Sequence, residues 1–282
     1  MNYQHEFHAG NFADVVKHAV LARIVSYLRQ KPAPFRVIDT HAGAGLYDLA
    51  GPEAQRTGEW REGIGRLLKA SPAAGIRELL APYLEAVAEL NPGGGIKVYP
   101  GSPMLVRAWL RPGDRLIACE LEPRAAAALG KNLATSTRAR VLPIDGWTAL
   151  SAYVPPKERR GLVLVDPPYE APDEFTRLAE AFAEAHRKWA SGIYLLWYPI
   201  KDRTGPDALA RHLAGLRIAK ILRAEMTVAR VPGADRLIGS GLIIVNPPWT
   251  LEKELSALLP ALAGILSAGD GGYRLDWLAR EI

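Results

Sequence analysis

The sequence predicts an α/β protein with a doubly wound, mostly parallel sheet. Short apolar segments of strand length alternate with segments of helical periodicity along most of the 282 residues, as they do in stacked βα units. Several of these strands are apolar without interruption, which is typical of sheets that helices cover on both faces. Acidic residues follow four of the strands, and an open parallel sheet presents such residues at one ligand-binding edge.

The first helix is predicted from Phe12 to Gln30, where Val16, Val20 and Ile24 recur at four-residue spacing and form one apolar face. Eight segments rich in β-prone residues and bounded by turn residues predict the strands of the sheet. They are Phe35–Asp39, Arg115–Cys119, Arg140–Ile144, Gly161–Val165, Ile193–Trp197, Ile221–Val228, Leu242–Val245 and Tyr273–Trp277.

One stretch interrupts the alternation of strands and helices. Between Tyr47 and about Ile96 no segment predicts a strand, whereas Trp60–Lys69 and Ile76–Leu90 have helical spacing. We therefore expect residues 1–282 to form a single domain, with residues 47–96 inserted in it as a small helical subdomain.

Composition limits the classes of protein that need to be considered. With 49% hydrophobic and 23% charged residues the chain is typical of a globular protein, and no apolar stretch approaches the ~20 residues of a membrane helix. The first residues lack a basic and then apolar leader, so we expect a cytoplasmic location. The single Cys119 excludes a disulfide framework. The net charge of +5 permits a polyanionic partner without demonstrating one.

The loops after the strands indicate a nucleoside-containing cofactor. Asp39 leads into T-H-A-G-A-G-L, a Gly-rich loop whose backbone a ligand can approach closely. Asp48 replaces the third glycine of the dinucleotide fingerprint, which disfavours a nicotinamide-dependent oxidoreductase. S-adenosylmethionine (SAM) has no phosphate and suits such a loop. Glu120 is placed to accept from ribose hydroxyls, and Asp145 with the Gly146 backbone is placed to bind adenine.

The segment Leu162–Tyr169 reads L-V-L-V-D-P-P-Y and predicts a site for an amine. Its strand carries Asp166 to the ligand-binding edge, and the two prolines hold the next residues extended without N–H donors. The Asp166 carboxylate and the Pro167 carbonyl offer two acceptors for the hydrogens of an exocyclic amine, and Tyr169 can stack on the base. The residues alone leave a second interpretation open, namely a stiff turn after a strand.

A second candidate corner, Asn246–Trp249, reads N-P-P-W after a later strand. Asp166 ends the strand that directly follows the strands of Glu120 and Asp145, and it should therefore lie beside the cofactor. We expect Asp166 to be catalytic and the N-P-P-W corner to be structural.

Two further groups of residues suggest binding roles. Lys17 and His18 on the first helix, with Ser102 before the helical pattern 103–110, could bind the carboxylate of the cofactor's amino-acid end. A metal site is disfavoured because the residues that would form it lack the spacing of metal ligands; they are His5, His8, Asp14, His18 and His41. Three basic clusters could follow phosphates, although each is equally typical of a solvated surface: Lys157-Arg159-Arg160, Lys201-Arg203 and Arg230-Arg236.

Taken together, the motifs resemble one bacterial family, the 23S ribosomal RNA adenine-N6 methyltransferases of the RlmJ type. The motifs that carry the resemblance are Y-x-H-x-F-H-A-G-N-x-A-D-V-x-K-H at Tyr3–His18, D-T-H-A-G-A-G at Asp39–Gly45, R-T-G-E at Arg56–Glu59, Y-P-G-S-P at Tyr99–Pro103, D-P-P-Y-E at Asp166–Glu170, L-W-Y-P at Leu196–Pro199 and N-P-P-W at Asn246–Trp249. The resemblance implies a Rossmann-like class I SAM-dependent methyltransferase with a helical insertion. It also implies SAM as methyl donor and one adenosine of 23S rRNA as acceptor.

The family's site residues map onto matching positions of this sequence. The resemblance implies that Asp166 is the catalytic residue and that Tyr3 lies on the substrate side. The residue pattern adds Pro167 and Tyr169 to that side, and the strand order places Asp166 beside the cofactor. The resemblance implies that the cofactor-binding residues are His18, His41, Ser102, Glu120, Asp145 and Gly146. The residue patterns add Lys17 and Gly43 to this set. We expect no metal, no membrane contact and a monomer.

Three other functions remain open from the residues alone. The nearest is another amino-methyltransferase that acts on guanine N2 of rRNA, on adenine N6 of DNA or on a glutamine amide of a protein. The oxidoreductase is the second, and a non-catalytic RNA-binding protein on the same fold is the third. The non-catalytic alternative predicts loss of acids at the cofactor strand ends, whereas Glu120, Asp145 and Asp166 are all present.

Overall fold

A computed structural model describes residues 4–229 and 237–280 of the chain. Tyr3 and the predicted basic cluster Arg230-Arg236 lie outside the described residues. The strands, numbered along the chain, are β1 (Arg36–Asp39), β2 (Leu46–Asp48), β3 (Val98–Pro100), β4 (Arg115–Cys119), β5 (Ala139–Leu142), β6 (Gly161–Val165), β7 (Ile193–Ile200), β8 (Ile221–Thr227), β9 (Gly239–Val245) and β10 (Gly272–Ala279).

Eleven α-helices are present in the described part of the chain. They are α1 (Phe12–Arg29), α2 (Pro52–Thr57), α3 (Glu59–Glu62), α4 (Ile64–Lys69), α5 (Ala74–Glu89), α6 (Ser102–Trp109), α7 (Pro123–Leu133), α8 (Gly146–Ala152), α9 (Glu174–Lys188), α10 (Thr204–Gly215) and α11 (Leu251–Leu266). A short 3₁₀ helix, His5–Phe7, precedes them.

Eight strands form one sheet in the order β10-β8-β9-β7-β6-β1-β4-β5. The five strands from β7 to β5 run parallel to one another, whereas β9, β8 and β10 continue the sheet in antiparallel fashion. Buried apolar clusters cover both faces of the sheet, with α1, α6 and α11 on one face and α9 and α10 on the other. The predicted doubly wound, mostly parallel α/β fold is therefore confirmed.

All eight predicted strands are present, with ends that differ by up to a few residues. Two additional strands, β2 and β3, form a separate antiparallel pair at the two ends of the insertion. No strand was expected from Tyr47 to about Ile96. This expectation was wrong for Tyr47 and Asp48, which form the last two residues of β2. Strands of three residues are too short to show the alternation on which a prediction rests.

Four helices occupy the predicted insertion, rather than the two that its periodicity predicted. The expected helix Trp60–Lys69 is divided at Gly63 into α3 and α4. A Cβ atom at Gly63 would lie 2.1 Å from the Gly10 carbonyl oxygen, and the Ile64 N–H donates to that same oxygen at 2.9 Å. The break thus lets the insertion pack on the segment that leads into α1.

Helix α1 is central to the architecture because it lies between the sheet, the insertion and α11. The Asn11 side chain caps its first turn and accepts hydrogen bonds from the N–H groups of Ala13 and Asp14, both at 3.0 Å. Thirteen of its eighteen residues are buried, including Asp14, Lys17 and His18. Polar residues on a buried helix require partners, and theirs lie at the sheet edge described next. No described helix is long and apolar enough to cross a membrane.

Candidate active site

The parallel strands bring the predicted acids to one edge of the sheet. Asp39 at the end of β1 pairs in register with Ala118 of β4 and with Leu164 of β6. Glu120 and Asp166 therefore follow the two strands that flank β1. This is the carboxyl edge, where open α/β sheets bind their ligands.

The Gly-rich loop is joined to β4 through Glu120. The Gly43 N–H donates to Oε2 of Glu120 and the Glu122 N–H donates to Oε1, each at 2.8 Å. Gly43 has a left-handed φ of 64°, and a Cβ atom there would lie 2.2 Å from the Tyr47 hydroxyl. Two backbone donors thus orient the carboxylate expected to accept from ribose hydroxyls, and the loop requires glycine.

Asp39 is a fully buried carboxyl group that is only half satisfied. Its Oδ2 accepts a hydrogen bond from the Ser102 hydroxyl at 2.6 Å, whereas its Oδ1 has no partner among the described residues. Burial, reinforced by the nearby negative charge of Asp166, raises the pKa of Asp39 to about 7. An unpaired buried acceptor is costly unless a ligand satisfies it, and a cationic amine is a suitable partner for such an acceptor.

The contact with Asp39 corrects the expected role of Ser102. We predicted that its hydroxyl would face an anion from a position just before the helix. Ser102 is instead the first residue of α6, Gly101 is the N-cap, and the hydroxyl is bound to Asp39. Its structural effect is to position a carboxyl group, while its contribution to cofactor binding remains a prediction.

His41 and Gly146 pack against each other beside Asp145. Oδ2 of Asp145 accepts from the Thr148 N–H at 2.9 Å and caps α8. A Cβ atom at Gly146 would lie 2.3 Å from the Thr40 carbonyl and 2.6 Å from Nε2 of His41. Burial lowers the pKa of His41 to about 4, so this imidazole is neutral. The strand that was predicted at Arg140–Ile144 ends earlier, at Leu142. Asp145 therefore caps a helix and does not directly follow a strand.

Lys17 joins helix α1 to the D-P-P-Y corner. Its ammonium lies 2.8 Å from Oδ1 of Asp14 and 2.5 Å from Oδ2 of Asp166, and its side chain is only 5% exposed. Despite burial, the two carboxylates hold the pKa of Lys17 well above its usual value, and Lys17 together with His5 holds that of Asp14 well below its own. We predicted that Lys17 would bind the cofactor carboxylate, and its contacts instead favour a role in orienting Asp166.

His18 lies deeper than the sequence suggested. Its Nδ1 is 2.7 Å from the Tyr99 hydroxyl, which in turn is 2.9 Å from that of Tyr83. Burial lowers the pKa of His18 to about 3, and its Nε2 is buried with no partner among the described residues. The neutral ring therefore links α1 to the insertion through Tyr99 and Tyr83, and its role in cofactor binding stays a prediction.

A cavity of about 420 Å³ opens at the D-P-P-Y corner, within the size range of small-molecule sites. Its walls include Asp14, Lys17, Asp166, Tyr169, Trp197 and Lys201. The Tyr169 hydroxyl donates to the Trp197 carbonyl at 2.9 Å, and the Tyr169 ring contacts the Phe175 ring at a centroid distance of 4.8 Å. The ring expected to stack on a base is thus held in place at the cavity wall.

The N-P-P-W corner lies at the opposite edge of the sheet. Strand β9 runs antiparallel to β7, and its last residue, Val245, pairs with Tyr194 near the start of β7. The Asn246 amide donates to the carbonyls of Ala190 and Gly192 at 2.7 and 2.8 Å. These bonds hold Asn246 at a left-handed φ of 52°, and they place it far from the cavity that contains Asp166.

Comparisons with known proteins agree with this geometry. The family model described as "Ribosomal RNA large subunit methyltransferase D, RlmJ" matches residues 32–279. The chain belongs to this family. It is 40% identical over 286 residues to Ribosomal RNA large subunit methyltransferase J of Escherichia coli, with all of both chains covered, and 38% identical over 285 residues to the protein of the same description from Haemophilus influenzae, again with full coverage.

A solved structure has the same fold over nearly the whole chain. A crystal structure of a Legionella pneumophila protein superposes with a TM-score of 0.87 at 32% identity and covers 96% of this chain and 98% of that one. The family model and the two relatives confirm the predicted family and class, and the chain is a SAM-dependent methyltransferase.

Two acidic side chains at the carboxyl edge fit this cofactor. Asp39 offers an unpaired buried acceptor, and the Glu120 carboxylate is held by two backbone N–H groups. Gly146 allows His41 to pack closely against the start of α8. Sequence reasoning named Asp39 only as a strand-end acid and considered Asp14 only as a metal ligand. In the structure both are part of the site. The three-residue spacing of Asp14 and Lys17 on a helix could have predicted their ion pair.

Among the described residues, no group of histidine, cysteine and acidic side chains could hold a metal ion.

The raised pKa of Asp39 predicts a pH dependence of stability. Its carboxyl group has a folded pKa of about 7 against 3.8 when exposed, so the folded state holds a proton between these values that the unfolded state releases. The contribution of Asp39 to the free energy of unfolding therefore becomes progressively less favourable as the pH rises from 3.8 to about 7. We expect Asp39→Asn to raise the free energy of unfolding, by up to about 4 kcal/mol at pH 8 and little at pH 4, as measured by urea unfolding.

The same substitution should weaken cofactor binding, because it removes the charge opposite a cationic amine. We expect the Kd for SAM to rise by at least about tenfold at pH 8. A variant that is stabilised at pH 8 but binds SAM normally would show that Asp39 does not face the cofactor.

Proposed function

We propose that the chain transfers a methyl group from SAM to the exocyclic N6 amine of one adenosine in 23S rRNA. The observation that carries this proposal is the position of Asp166, which lines the acceptor cavity and follows the strand adjacent to β1 at the cofactor edge. Membership of a family of ribosomal RNA large-subunit methyltransferases supports rRNA as the acceptor. With this substrate the enzyme works in the cytoplasm.

The cofactor supplies an electrophilic methyl group on a sulfonium centre when it is bound. On the protein side, Asp39 would accept from the amine of its amino-acid end, Glu120 from its ribose hydroxyls and Asp145 from its adenine amine. The Oδ1 atom of Asp145 remains for that purpose because the helix cap uses Oδ2. His18, His41, Ser102 and Gly43 complete the proposed binding set.

Asp166 and Pro167 would activate the acceptor amine. The N6 lone pair of adenine is delocalised into the ring, which makes the nitrogen a poor nucleophile. If the Asp166 carboxylate and the Pro167 carbonyl each accept one hydrogen, the nitrogen is drawn towards tetrahedral geometry and its lone pair is freed. The amine proton becomes acidic once the new N–C bond forms, and the carboxylate of Asp166 can then receive it.

Lys17 would act as a positioning residue in this chemistry. Its ammonium binds Oδ2 of Asp166, so that Oδ1 is the oxygen left to accept from the amine. Asp14 binds the same ammonium and fixes it to helix α1. The orientation of the catalytic carboxylate therefore depends on a helix rather than on a loop, which favours precise geometry.

The acceptor cavity suits a base that has left its helical stack. An adenine must be unpaired or flipped before its amine can reach Asp166. Tyr169 would stack on the extruded base, with Trp197 completing an aromatic wall, since these rings lie 5.7 Å apart in an edge-to-face arrangement. Tyr3, the remaining residue of the predicted substrate side, lies outside the described residues.

Incubation with methyl-labelled SAM and three acceptors tests the class of substrate. Protein-free ribosomal RNA, genomic DNA and total protein are offered separately, and the label in each is counted. We expect incorporation into 23S rRNA alone. Label in DNA or protein would indicate another amino-methyltransferase, and no label in any acceptor would favour the non-catalytic alternative.

Lys201 is expected to contact a phosphate next to the target nucleoside. It is an exposed residue that lines the acceptor cavity. The neighbouring Arg203 differs because Glu225 and Asp207 already bind it. We expect Lys201→Gln to raise the KM for RNA by about three- to tenfold, to leave kcat unchanged and to reduce the salt dependence of binding by about one phosphate contact. A fall in kcat at unchanged KM would contradict this role.

We also propose that the enzyme acts as a monomer and without a metal ion. Light scattering during size-exclusion chromatography tests the first statement. Methyl transfer in the presence of EDTA tests the second, and loss of activity that zinc or magnesium restores would contradict it.

A further inference from the structure

Three adjacent loops concentrate basic residues at the amino edge of the parallel strands. They precede β1, β4 and β6, which are neighbours in the sheet, and comprise residues 29–36, 111–115 and 157–160. These loops, together called the basic edge, contain eight basic and two acidic side chains, a net charge of +6. Since the whole chain has a net charge of +5, the remainder of the molecule is close to neutral.

The basic edge lies on the side of the sheet opposite the acceptor cavity. Strand β6 begins at Gly161, directly after the third loop, and Asp166 follows its other end. At ~3.3 Å per residue, the strand separates the two edges by about 16 Å. RNA that reaches both edges must follow the protein surface past this strand, which favours a separate segment of RNA at the basic edge.

Two arginines hold the three loops together. The Arg111 guanidinium donates to the carbonyls of Arg29 and Lys31 at 2.9 and 2.8 Å, and Arg160 donates to the Ala33 carbonyl at 2.8 Å. Both guanidinium groups lie within 6 Å of the Phe35 ring, at 5.6 and 5.9 Å from its centroid. Burial and the neighbouring charge of Arg111 lower the pKa of Arg160. The fold therefore maintains a crowded positive charge here.

The clamped loops present four further cations to solvent. Arg29, Lys31, Lys157 and Arg159 are exposed, and no ion pair engages them within the described ranges 4–229 and 237–280. Arg159 has a left-handed φ of 53°, a conformation that disfavours residues other than glycine and asparagine. The loops of the basic edge are thus held together by hydrogen bonds, and their four exposed cations have no ion-pair partner within the described ranges. This is expected of a preorganised site for a polyanion.

We propose that the basic edge binds the phosphate backbone of a second segment of the large rRNA, distinct from the segment whose adenosine enters the acceptor cavity. This inference rests on the proposed function for the identity of the RNA. Phosphates match guanidinium and ammonium groups without regard to base sequence, and the one aromatic residue of the three loops, Phe35, is buried and leaves no ring on which a base could stack. The contact would add affinity for long RNA without contributing to the chemistry.

The test compares two RNAs and two sets of substitutions in the full-length protein. One RNA is a transcript of 23S rRNA and the other is a short stem–loop excised around its methylated adenosine. The first variant carries Arg29→Gln, Lys31→Gln, Lys157→Gln and Arg159→Gln. The matched control neutralises four exposed cations elsewhere: Lys69→Gln, Arg77→Gln, Arg211→Gln and Lys253→Gln. Filter binding at several salt concentrations gives Kd and its salt slope.

We expect the basic-edge variant to bind the long transcript at least about tenfold more weakly, with a salt slope reduced by up to about 4. Its binding and methylation of the stem–loop should match those of the control. An unchanged Kd for the long transcript, or equal weakening for both RNAs, would overturn the proposal. If the wild-type protein methylates neither RNA, the proposed function fails, whereas the binding comparison still reports on the basic edge.

Discussion

Substitution of Asp166 by Asn is expected to reduce kcat for methyl transfer to RNA by at least about 100- to 1000-fold. The amide preserves the shape of the side chain but removes its negative charge and replaces one of the two oxygens with an NH2 donor, although the Lys17 ammonium and the acceptor amine each require an acceptor. An amide oxygen accepts more weakly than a carboxylate, and an amide cannot take the proton that the methylated amine must release. Single-turnover kinetics with saturating SAM measure the loss at the chemical step.

Asn246→Gly supplies the matched control in the second proline-containing corner. Glycine suits the left-handed φ of 52° at this position, and the substitution removes two hydrogen bonds to backbone carbonyls. We expect a loss of about 1–3 kcal/mol in the free energy of unfolding, with kcat close to the wild-type value. Near-normal turnover in Asp166→Asn together with loss of activity in Asn246→Gly would show that catalysis takes place at the N-P-P-W corner and not at the D-P-P-Y corner.

Lys17→Met is expected to reduce both stability and turnover. The substitution removes a cation that is 5% exposed and leaves Asp14, only 2% exposed, without its principal counter-charge. Removal of one partner from a buried ion pair costs about 3–5 kcal/mol, and we expect a decrease of that size in the free energy of unfolding. We also expect kcat to fall at least about tenfold, because the Asp166 carboxylate loses the ammonium that orients it.

The pH dependence of this stability loss follows from Asp14. Lys17 and His5 hold the Asp14 pKa well below 3.8, so the stabilisation is present above that pH and is lost as the pH falls through the lower folded value. The pKa of Lys17 is raised above its usual value of 10.5, so the contribution of its charge to stability is fully present below pH 10.5. The stability difference between wild type and Lys17→Met should therefore be constant from about pH 5 to 9 and shrink in acid.

The double variant Asp14→Asn/Lys17→Met separates stability from catalysis. It removes the uncompensated buried charge as well as the ammonium, so much of the lost stability should return. The low kcat should remain, because Asp166 still lacks its partner. Recovery of wild-type turnover in the double variant would contradict the positioning role of Lys17, and the pH profile of kcat provides a second readout.

The sequence could predict the parts of the site that local chemistry determines. Asp166 follows an uninterrupted apolar strand, and the prolines that follow have a fixed backbone geometry, so both its edge of the sheet and its neighbours are predictable. The alternation of strands and helices likewise predicts the doubly wound sheet. Within the eight-stranded sheet only the ends of the predicted strands shifted, as with β5, which ends at Leu142 and leaves Asp145 to cap α8.

Contacts between distant segments could not be predicted in this way. Asp39 and Ser102 are 63 residues apart, and Lys17 and Asp166 are 149 residues apart. Sequence patterns identify these residues as polar but do not identify their partners, so the ligands assigned to Ser102 and Lys17 differ from their contacts in the fold. The division of the predicted helix at Gly63 has the same origin, since the Gly10 carbonyl that forbids a side chain there is a tertiary neighbour.

The most direct test of the central claim is the chemical identity of the methylated nucleoside. Wild-type protein and Asp166→Asn are each incubated with methyl-labelled SAM and protein-free 23S rRNA, which is then digested and separated by nucleoside chromatography. We expect the label to migrate as N6-methyladenosine in the wild-type reaction and to be nearly absent with the variant. Label in N2-methylguanosine, or N6-methyladenosine formed equally well by Asp166→Asn, would contradict the proposed acceptor or the proposed catalytic residue.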